Sequence, residues 1–378
     1  MKFTINRSLF IEKLNNVMRA ISSRATIPIL SGIKIELSEE ELVLTGSDSD
    51  ISIRVKIPVS GNEDIEFVSG GAIVLSARFF SEIVKKLPGK EFSFEVKEGR
   101  QVQIISDNSE FTVNGLDATS YPHLAEIGDD SSFNISGKTL REIINETEFA
   151  VSNQESRPIL TGVNFTFEPD RIKAVATDSH RLSQRIIPLE NGSKNTFSLI
   201  LPGKSLQELS HIIGETDPDI TVCLGDNQVK FEIDDLIFYT RLLSGTYPDT
   251  DRLLPTQATT SAQFVIRDLL SALDRASLLT HASRNNVVKM NLDVDSQKVS
   301  MSGDSPEIGK VEEEVPFSNL TGASLDIAFN PDYLRDALRA SVTDNVVMNF
   351  TQPLRPFTVV PDKEDVKFVQ LITPVRTF

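Results

Sequence analysis

Apolar residues recur at helical spacing in six stretches of this chain and alternate with polar ones through most of the rest. Near residues 9–21, Phe10, Leu14, Val17, Met18 and Ile21 fall on one helical face. Near 78–87, Phe79, Phe80, Ile83, Val84 and Leu87 do the same, and Pro88-Gly89 marks the stop. Spans 138–151 (Leu140, Ile143, Ile144, Thr147, Val151) and 204–213 (Leu206, Leu209, Ile212, Ile213, then Gly214) form a second pair. Spans 267–279 (Leu269, Leu270, Leu273, Ala276) and 332–341 (Tyr333, Leu334, Ala337, Leu338) form a third. Asn330-Pro331 opens the last helix as a cap with proline in the first turn. Period-two segments such as Ile33–Leu37, Phe92–Val96 and Val102–Ile104 predict strands, punctuated by turns at Ser38-Glu39-Glu40 and Asp226-Asn227. Runs of strands with isolated helices predict an α+β protein with antiparallel sheets.

The pattern repeats. Residues 21–35 (ISSRATIPILSGIKI) align with 151–165 (VSNQESRPILTGVNF), pairing Pro28 with Pro158, Leu30 with Leu160 and Gly32 with Gly162. Asp48 meets Asp178 at the same offset, and SGDSPEIGKV with Asp304 is a fainter third copy. Tyr121-Pro122 returns as Tyr247-Pro248. A period this long is the size of a domain. It predicts three similar domains with two helices each, at 1–128, 129–256 and 257–378, with joints near Glu126–Asp130 and Pro255–Ser261.

Composition narrows the class. At 39% hydrophobic and 24% charged residues, the chain reads as a soluble globular protein. No apolar run approaches the ~20 residues of a membrane span, and the N-terminus shows no signal-peptide core. The single cysteine, Cys223, sits in an apolar strand-like stretch as an inert thiol and suits a reducing cytoplasm. A net charge of −16 argues against nucleic acid at first sight. The six helical spans, however, carry 12 Lys/Arg against 10 Asp/Glu, so the helices are basic relative to the acidic body. Mixed charge on solvated helix faces gives the same pattern.

Chemistry is sparse. There is no P-loop, G-x-G-x-x-G, G-x-S-x-G or H-E-x-x-H, and the histidines (123, 180, 211 and 281) are scattered, none with a second ligand at metal spacing. No catalytic residue, metal or cofactor is expected. Asp178-Ser179-His180 imitates a triad, yet Asp178 recurs as Asp48 and Asp304, which fits an aspartate that closes a turn on its own backbone. His180 and Arg181 break the repeat, since the first copy has Asp50 and Ile51 there. That makes them candidates for a function present once per chain. The C-terminal segment KFVQLITPVRTF reads either as a last strand or as one wall of an apolar groove.

The segments ESRPILTGV, ATDSHRL, GTYPDTDRLLP and QLITPVR closely resemble the bacterial sliding clamps, the beta subunits of DNA polymerase III, and the resemblance spans all three repeats. It implies three clamp domains forming half a ring, closed head to tail by a second copy into a homodimer that encircles duplex DNA and tethers the replicative polymerase. Twelve helices spaced roughly 10 Å apart would leave an opening near ~28 Å, loose around a duplex. By position, it implies DNA contacts from Arg24, Gln154 and Lys204. It implies a partner-peptide cleft from Leu160, Thr177, His180, Arg181, Leu182, Pro248, Arg252 and Leu253 of the second domain. The third domain would add Tyr333, Leu354, Pro356, Ile372, Pro374, Val375 and Arg376, with Leu182, Leu253, Ile372 and Val375 as apolar walls and Arg181 and Arg252 as polar rims. It implies a dimer contact of Phe111 and Val113 against Leu278 and Leu279 of the neighbour. Polymerase, clamp loader, repair and translesion proteins would share the cleft through short motifs. Pro158 and Ile159 stand where some members carry aromatics, Thr377-Phe378 extends the terminus, and the loop 281–286 is polar. Two other classes stay in view: a β-rich scaffold with no DNA role, and an enzyme with an unrecognised site.

Overall fold

The computed structural model describes residues 1–22, 27–124, 127–128, 132–189, 196–281 and 286–376. Among them lie six helices, α1 (Arg7–Met18), α2 (Ala77–Lys86), α3 (Gly137–Thr147), α4 (Gly203–Ile213), α5 (Ile266–Ser277) and α6 (Pro331–Arg339). All six follow the predicted periodicity, and their ends show local chemistry. Helix α1 starts earlier than expected because Asn6 Oδ1 accepts the Ser8 and Leu9 amides, at 2.9 and 3.3 Å. Asn330 caps α6 as expected, accepting the Asp332 amide at 2.9 Å. Helix α3 ends at Thr147 rather than at 151. The Thr147 hydroxyl donates to the Ile143 carbonyl (2.7 Å), and the chain tightens into a 3₁₀ turn at Glu148–Ala150. Phe79, expected on the apolar face of α2, is 63% exposed, whereas Phe80 is buried in the core as expected.

The described chain forms two compact units, Met1–Leu140 with Gln207–Leu242, and Arg141–Leu206 with Leu243–Phe378. The first holds a five-stranded sheet, ordered Ile65–Ser69, Lys2–Asn6, Glu91–Val96, Gln101–Ser106, Ser109–Asn114. It also holds an eight-stranded sheet in which strands 132–136, 219–224, 228–233 and 236–241 continue into 51–58, 41–47, 32–37 and 71–76. Its core includes an aromatic cluster: Phe3 stacks on Phe94 at 4.9 Å, while Phe10 meets Phe80 and Phe92 edge-on.

The second unit holds a nine-stranded sheet. Strands 197–202, 162–167, 171–177 and 181–188 continue into 368–372, 357–361, 345–350, 260–265 and 319–322. A four-stranded sheet runs Gly309–Glu314, Lys298–Ser305, Val288–Asp293, Leu325–Phe329. Between them α5 and α6 bury Leu269, Leu273, Leu334 and Leu338 against Phe264, Phe329, Phe350 and Phe357. All the strand pairs are antiparallel, as the alternation predicted.

Sheets therefore run across the repeats. Strand Ile51–Pro58 pairs with Leu236–Arg241, placing Ile51 opposite Thr240. Arg181–Pro188 pairs with Phe368–Ile372 in the equivalent way, placing Arg181 opposite Ile372. The expected joint at 126–130 lies mostly outside the described residues; at the other joint, strand Thr260–Val265 begins inside the span assigned as linker.

Candidate partner-binding site

The site is built from a turn. Between strands Arg171–Thr177 and Arg181–Pro188, Asp178 Oδ1 accepts the amides of His180 (2.8 Å) and Arg181 (2.9 Å), with Ser179 at φ +80°. That carboxylate is engaged by its own backbone, so the Asp-Ser-His run is a turn and not a relay. The turn delivers Arg181 to the face of the sheet that carries the helices. There its Nε donates to Asp178 Oδ2 (3.0 Å) and its Nη1 to Asp336 Oδ2 on α6 (2.6 Å). Its guanidinium lies 4.9 Å from the Tyr333 ring centroid and 5.5 Å from that of Phe149. The His180 ring stacks on Tyr333 from another side, 6.4 Å between centroids. Burial, reinforced by the Asp178 carboxylate, pushes the Tyr333 phenol up, so it stays a neutral donor at physiological pH.

Leu182 points to the opposite face of the sheet. It joins Val175 and Leu371, with Tyr247 and Leu254 packed alongside. The Tyr247 hydroxyl accepts the Thr177 amide at 3.1 Å, and the Thr177 hydroxyl donates to the Arg181 carbonyl at 2.6 Å. Leu160 is buried in the 3₁₀ turn Pro158–Thr161. Pro248 and Arg252 are exposed, Leu253 is 54% exposed, and Arg252 pairs with Asp249 at 2.9 Å.

The C-terminal segment ties these parts together. The Thr373 amide donates to the His180 carbonyl (2.9 Å) and the Val375 amide to the Ala328 carbonyl (2.7 Å). Val375 and Arg376 thereby line an open groove of about 710 Å³ with Leu354, Pro353, Ile327 and Ala328. Pro356 and Pro374 are half-buried beside it. Lys289, Asp326 and Arg376 add charge to this lining. An open groove with an apolar floor and charged groups beside it suits a short peptide anchored by an apolar side chain.

Three expectations change. Ile372 is 1% exposed and belongs to the core of the second unit, so it is no open wall. Leu182, at 2%, is covered by its own neighbours. Arg181 is not an open rim, because its side chain is 13% exposed, two donors of its guanidinium are bound within the chain, and the group lies over two aromatic rings. Sequence reasoning missed Phe149, Asp336 and Leu254. Tyr247 was visible only as the repeat of Tyr121.

The remaining site residues lie elsewhere. Arg24 falls outside the described residues, as do most of the loop 281–286 and the Thr377-Phe378 extension. Gln154 is exposed in the loop beyond the 3₁₀ turn that follows α3, and Lys204 is exposed in the first turn of α4. Phe111 (38% exposed) and Val113 lie on Ser109–Asn114, an outermost strand with one bare edge. Leu278 is 70% exposed just past α5, Leu279 is half-buried, and Ile308 (58% exposed) precedes another outermost strand, Gly309–Glu314. Among the described residues no group of His, Cys, Asp and Glu could hold a metal ion, and Cys223 is buried. Among the described residues no helix is long and apolar enough to cross a membrane.

Three family models match in succession: the N-terminal domain of the DNA polymerase III beta subunit over residues 1–125, its central domain over 134–249 and its C-terminal domain over 251–376. A beta sliding clamp of Staphylococcus epidermidis is 45% identical over 380 residues, covering 100% of both chains. The crystal structure of the DNA polymerase sliding clamp from Bacillus subtilis superposes with a TM-score of 0.96 at 42% identity, again covering 100% of each chain. A sliding clamp from Bartonella birtlesii, solved bound to griselimycin, superposes with a TM-score of 0.92 at 27% identity and the same full coverage. The chain therefore belongs to the DNA polymerase III beta subunit family, the sliding clamps.

Proposed function

We propose that two copies of this chain close head to tail into a ring around duplex DNA, and that the groove at Leu354, Val375 and Arg376 is where its partners dock. Family membership makes the protein a beta sliding clamp, a replication processivity factor and a non-catalytic accessory subunit of the polymerase. It removes the scaffold and enzyme readings. The observation that carries the function is the full-length match through three consecutive clamp domains.

Two bare strand edges with exposed apolar neighbours, Phe111 on one and Leu278 with Ile308 beside the other, support a contact between copies. The division at residues 128 and 256 belongs to the same proposal. So do DNA contacts from Arg24, Gln154 and Lys204, partner motifs from polymerase, clamp loader, repair and translesion proteins, and a cytoplasmic location. Binding by encirclement needs few phosphate contacts, which suits a chain of net charge −16. The test is retention on DNA. Loaded onto nicked circles, the protein should stay bound, and it should be lost when the circle is cut. Equal loss from circles and linear DNA would contradict the ring.

A further inference from the structure

We propose that Asp336 is a positioning residue of the partner cleft, acting through Arg181 to hold Tyr333 and His180 in the arrangement that receives a peptide. The inference rests on the cleft reading above and adds a residue to it.

The argument begins with how completely Arg181 is used. Its side chain is 13% exposed, its Nε and Nη1 are bound to two carboxylates, and its guanidinium lies over the Phe149 and Tyr333 rings. Charge-assisted bonds to a planar fork fix orientation as well as distance. A guanidinium held this way has little left to offer a ligand. Its action is on its neighbours: the Tyr333 ring stands in a slot bounded by this guanidinium and by the His180 ring stacked on it.

Asp336 sets that slot from outside it. It lies one turn beyond Tyr333 on α6, with its carboxylate 2.6 Å from Arg181 Nη1. It lines a separate depression of about 480 Å³ with Glu142 and Phe149, and, like Arg181, Tyr333 and His180, it is not part of the lining of the groove of Leu354 and Val375. The His180 turn meets that groove through the C-terminal segment, since the His180 carbonyl accepts the Thr373 amide two residues before Val375. Asp336 reaches that turn through its bond to Arg181. Of the two carboxylates on Arg181, Asp178 belongs to the same turn, so Asp336 is the one that ties the guanidinium to the helix that carries Tyr333.

The internal repeat separates this role from plain structural support. At the equivalent strand junction, Ile51 occupies the position of Arg181 and is 2% exposed in the core. The same sheet-to-sheet pairing is thus made there without a buried ion pair. What the second junction has in addition is the Tyr333 slot.

The test uses the full-length protein and a fluorescein-labelled pentapeptide that begins Gln-Leu and ends Leu-Phe. Asp336→Ala should weaken peptide binding about tenfold, the scale of losing a charge-assisted contact, with the oligomeric state as in the wild type and a lowered melting temperature that still leaves the protein folded at the temperature of the titration. Asp336→Glu should recover most of the affinity. The chain has no tryptophan and four tyrosines, so tyrosine emission can be read directly. Asp336→Ala should change that emission, and the change should vanish in a Tyr333→Phe background. Val375→Asp serves as the control for the cleft. If Val375→Asp abolishes binding while Asp336→Ala binds like the wild type, the positioning role is wrong and the cleft stands. If neither substitution affects binding, the cleft reading fails and takes the positioning role with it. A loss of affinity with unchanged tyrosine emission, or one that Glu does not repair, also overturns the proposal.

Discussion

Asp48 and Asp178 close the same turn, 130 positions apart in the chain. Asp48 Oδ1 accepts the amides of Asp50 (3.0 Å) and Ile51 (2.8 Å), and Asp178 Oδ1 accepts those of His180 (2.8 Å) and Arg181 (2.9 Å). Ser49 and Ser179 take the same left-handed conformation, at φ +83° and +80°. The turns agree and the residues they deliver do not: one sends Ile51 into a core, the other sends Arg181 to Tyr333. The third copy departs further, since Asp304 lies within a strand opposite Lys310.

Substituting the two aspartates should therefore separate stability from binding. Asp48→Ala and Asp178→Ala should each cost about 1–2 kcal/mol of stability, the worth of bonds to a charged acceptor. Only Asp178→Ala should also weaken peptide binding. Urea titrations paired with peptide titrations read both effects, and equal peptide affinity in the two variants would argue against this division.

Within the cleft, two apolar residues should respond differently to a charge. Val375→Asp should cost about 2 kcal/mol or more of peptide affinity with the fold intact, because the side chain lines an open groove. Leu182→Asp should lower the melting temperature instead, because it would place an unpaired carboxylate among Val175, Leu371 and Tyr247. Calorimetric melting alongside fluorescence anisotropy distinguishes the two. A stable Leu182→Asp protein would show that this patch is more open than its 2% exposure implies.

Stability should fall as pH rises through the range where Glu146 titrates. Burial pushes its carboxyl up from 4.5 to about 7, with Arg185 opposing and Glu142 reinforcing the rise. The fold then holds this proton more tightly than the unfolded chain does. The group's stabilising contribution is complete below its ordinary value and is lost between pH 4.5 and about 7. The loss is at most roughly 3 kcal/mol. Glu146→Gln should flatten that part of the profile, as measured by urea unfolding across the range. An unaltered slope would assign the pH dependence to other groups.

Leu278→Asp should convert the protein to monomers at micromolar concentration, since it adds charge beside the proposed contact between copies. Phe111→Asp, on the other bare edge, should do the same. Mixing the two variants should not restore a closed ring, because every ring would still contain an altered contact. Sedimentation velocity reads the outcome, and dimers persisting in both variants would place the contact elsewhere.

The helices were legible because a 3.6-residue period survives in short spans, and the turn at Asp178 because its copy at Asp48 fixed its meaning. The errors have local causes. Five apolar positions on the ten-residue α2 exceed one buried face, and Phe79 is the one left out. Thr147 ended α3 through its own hydroxyl, which periodicity does not register. The pairing of Arg181–Pro188 with Phe368–Ile372 joins segments nearly half the chain apart, and strand alternation says which face a residue takes but not its partner strand. Asp336 carried no signal at all, since an aspartate on a solvated helix looks alike whether or not an arginine reaches it.

The two equivalent ladders, Ile51–Pro58 on Leu236–Arg241 and Arg181–Pro188 on Phe368–Ile372, bear on how a protein of repeated copies can be taken apart. Tandem copies joined by linkers can be expressed singly, shuffled or trimmed. Here each repeat lends a strand edge to the next. A chain ending at residue 256 would keep Arg181–Pro188 but lose its partner, exposing a row of unpaired amides and carbonyls along a strand that carries Leu182. Such an edge invites association with whatever strand it meets. The duplication visible in the sequence is therefore no longer modular in the protein: the copies have exchanged independence for a shared backbone, and a cut between them leaves a strand without its partner.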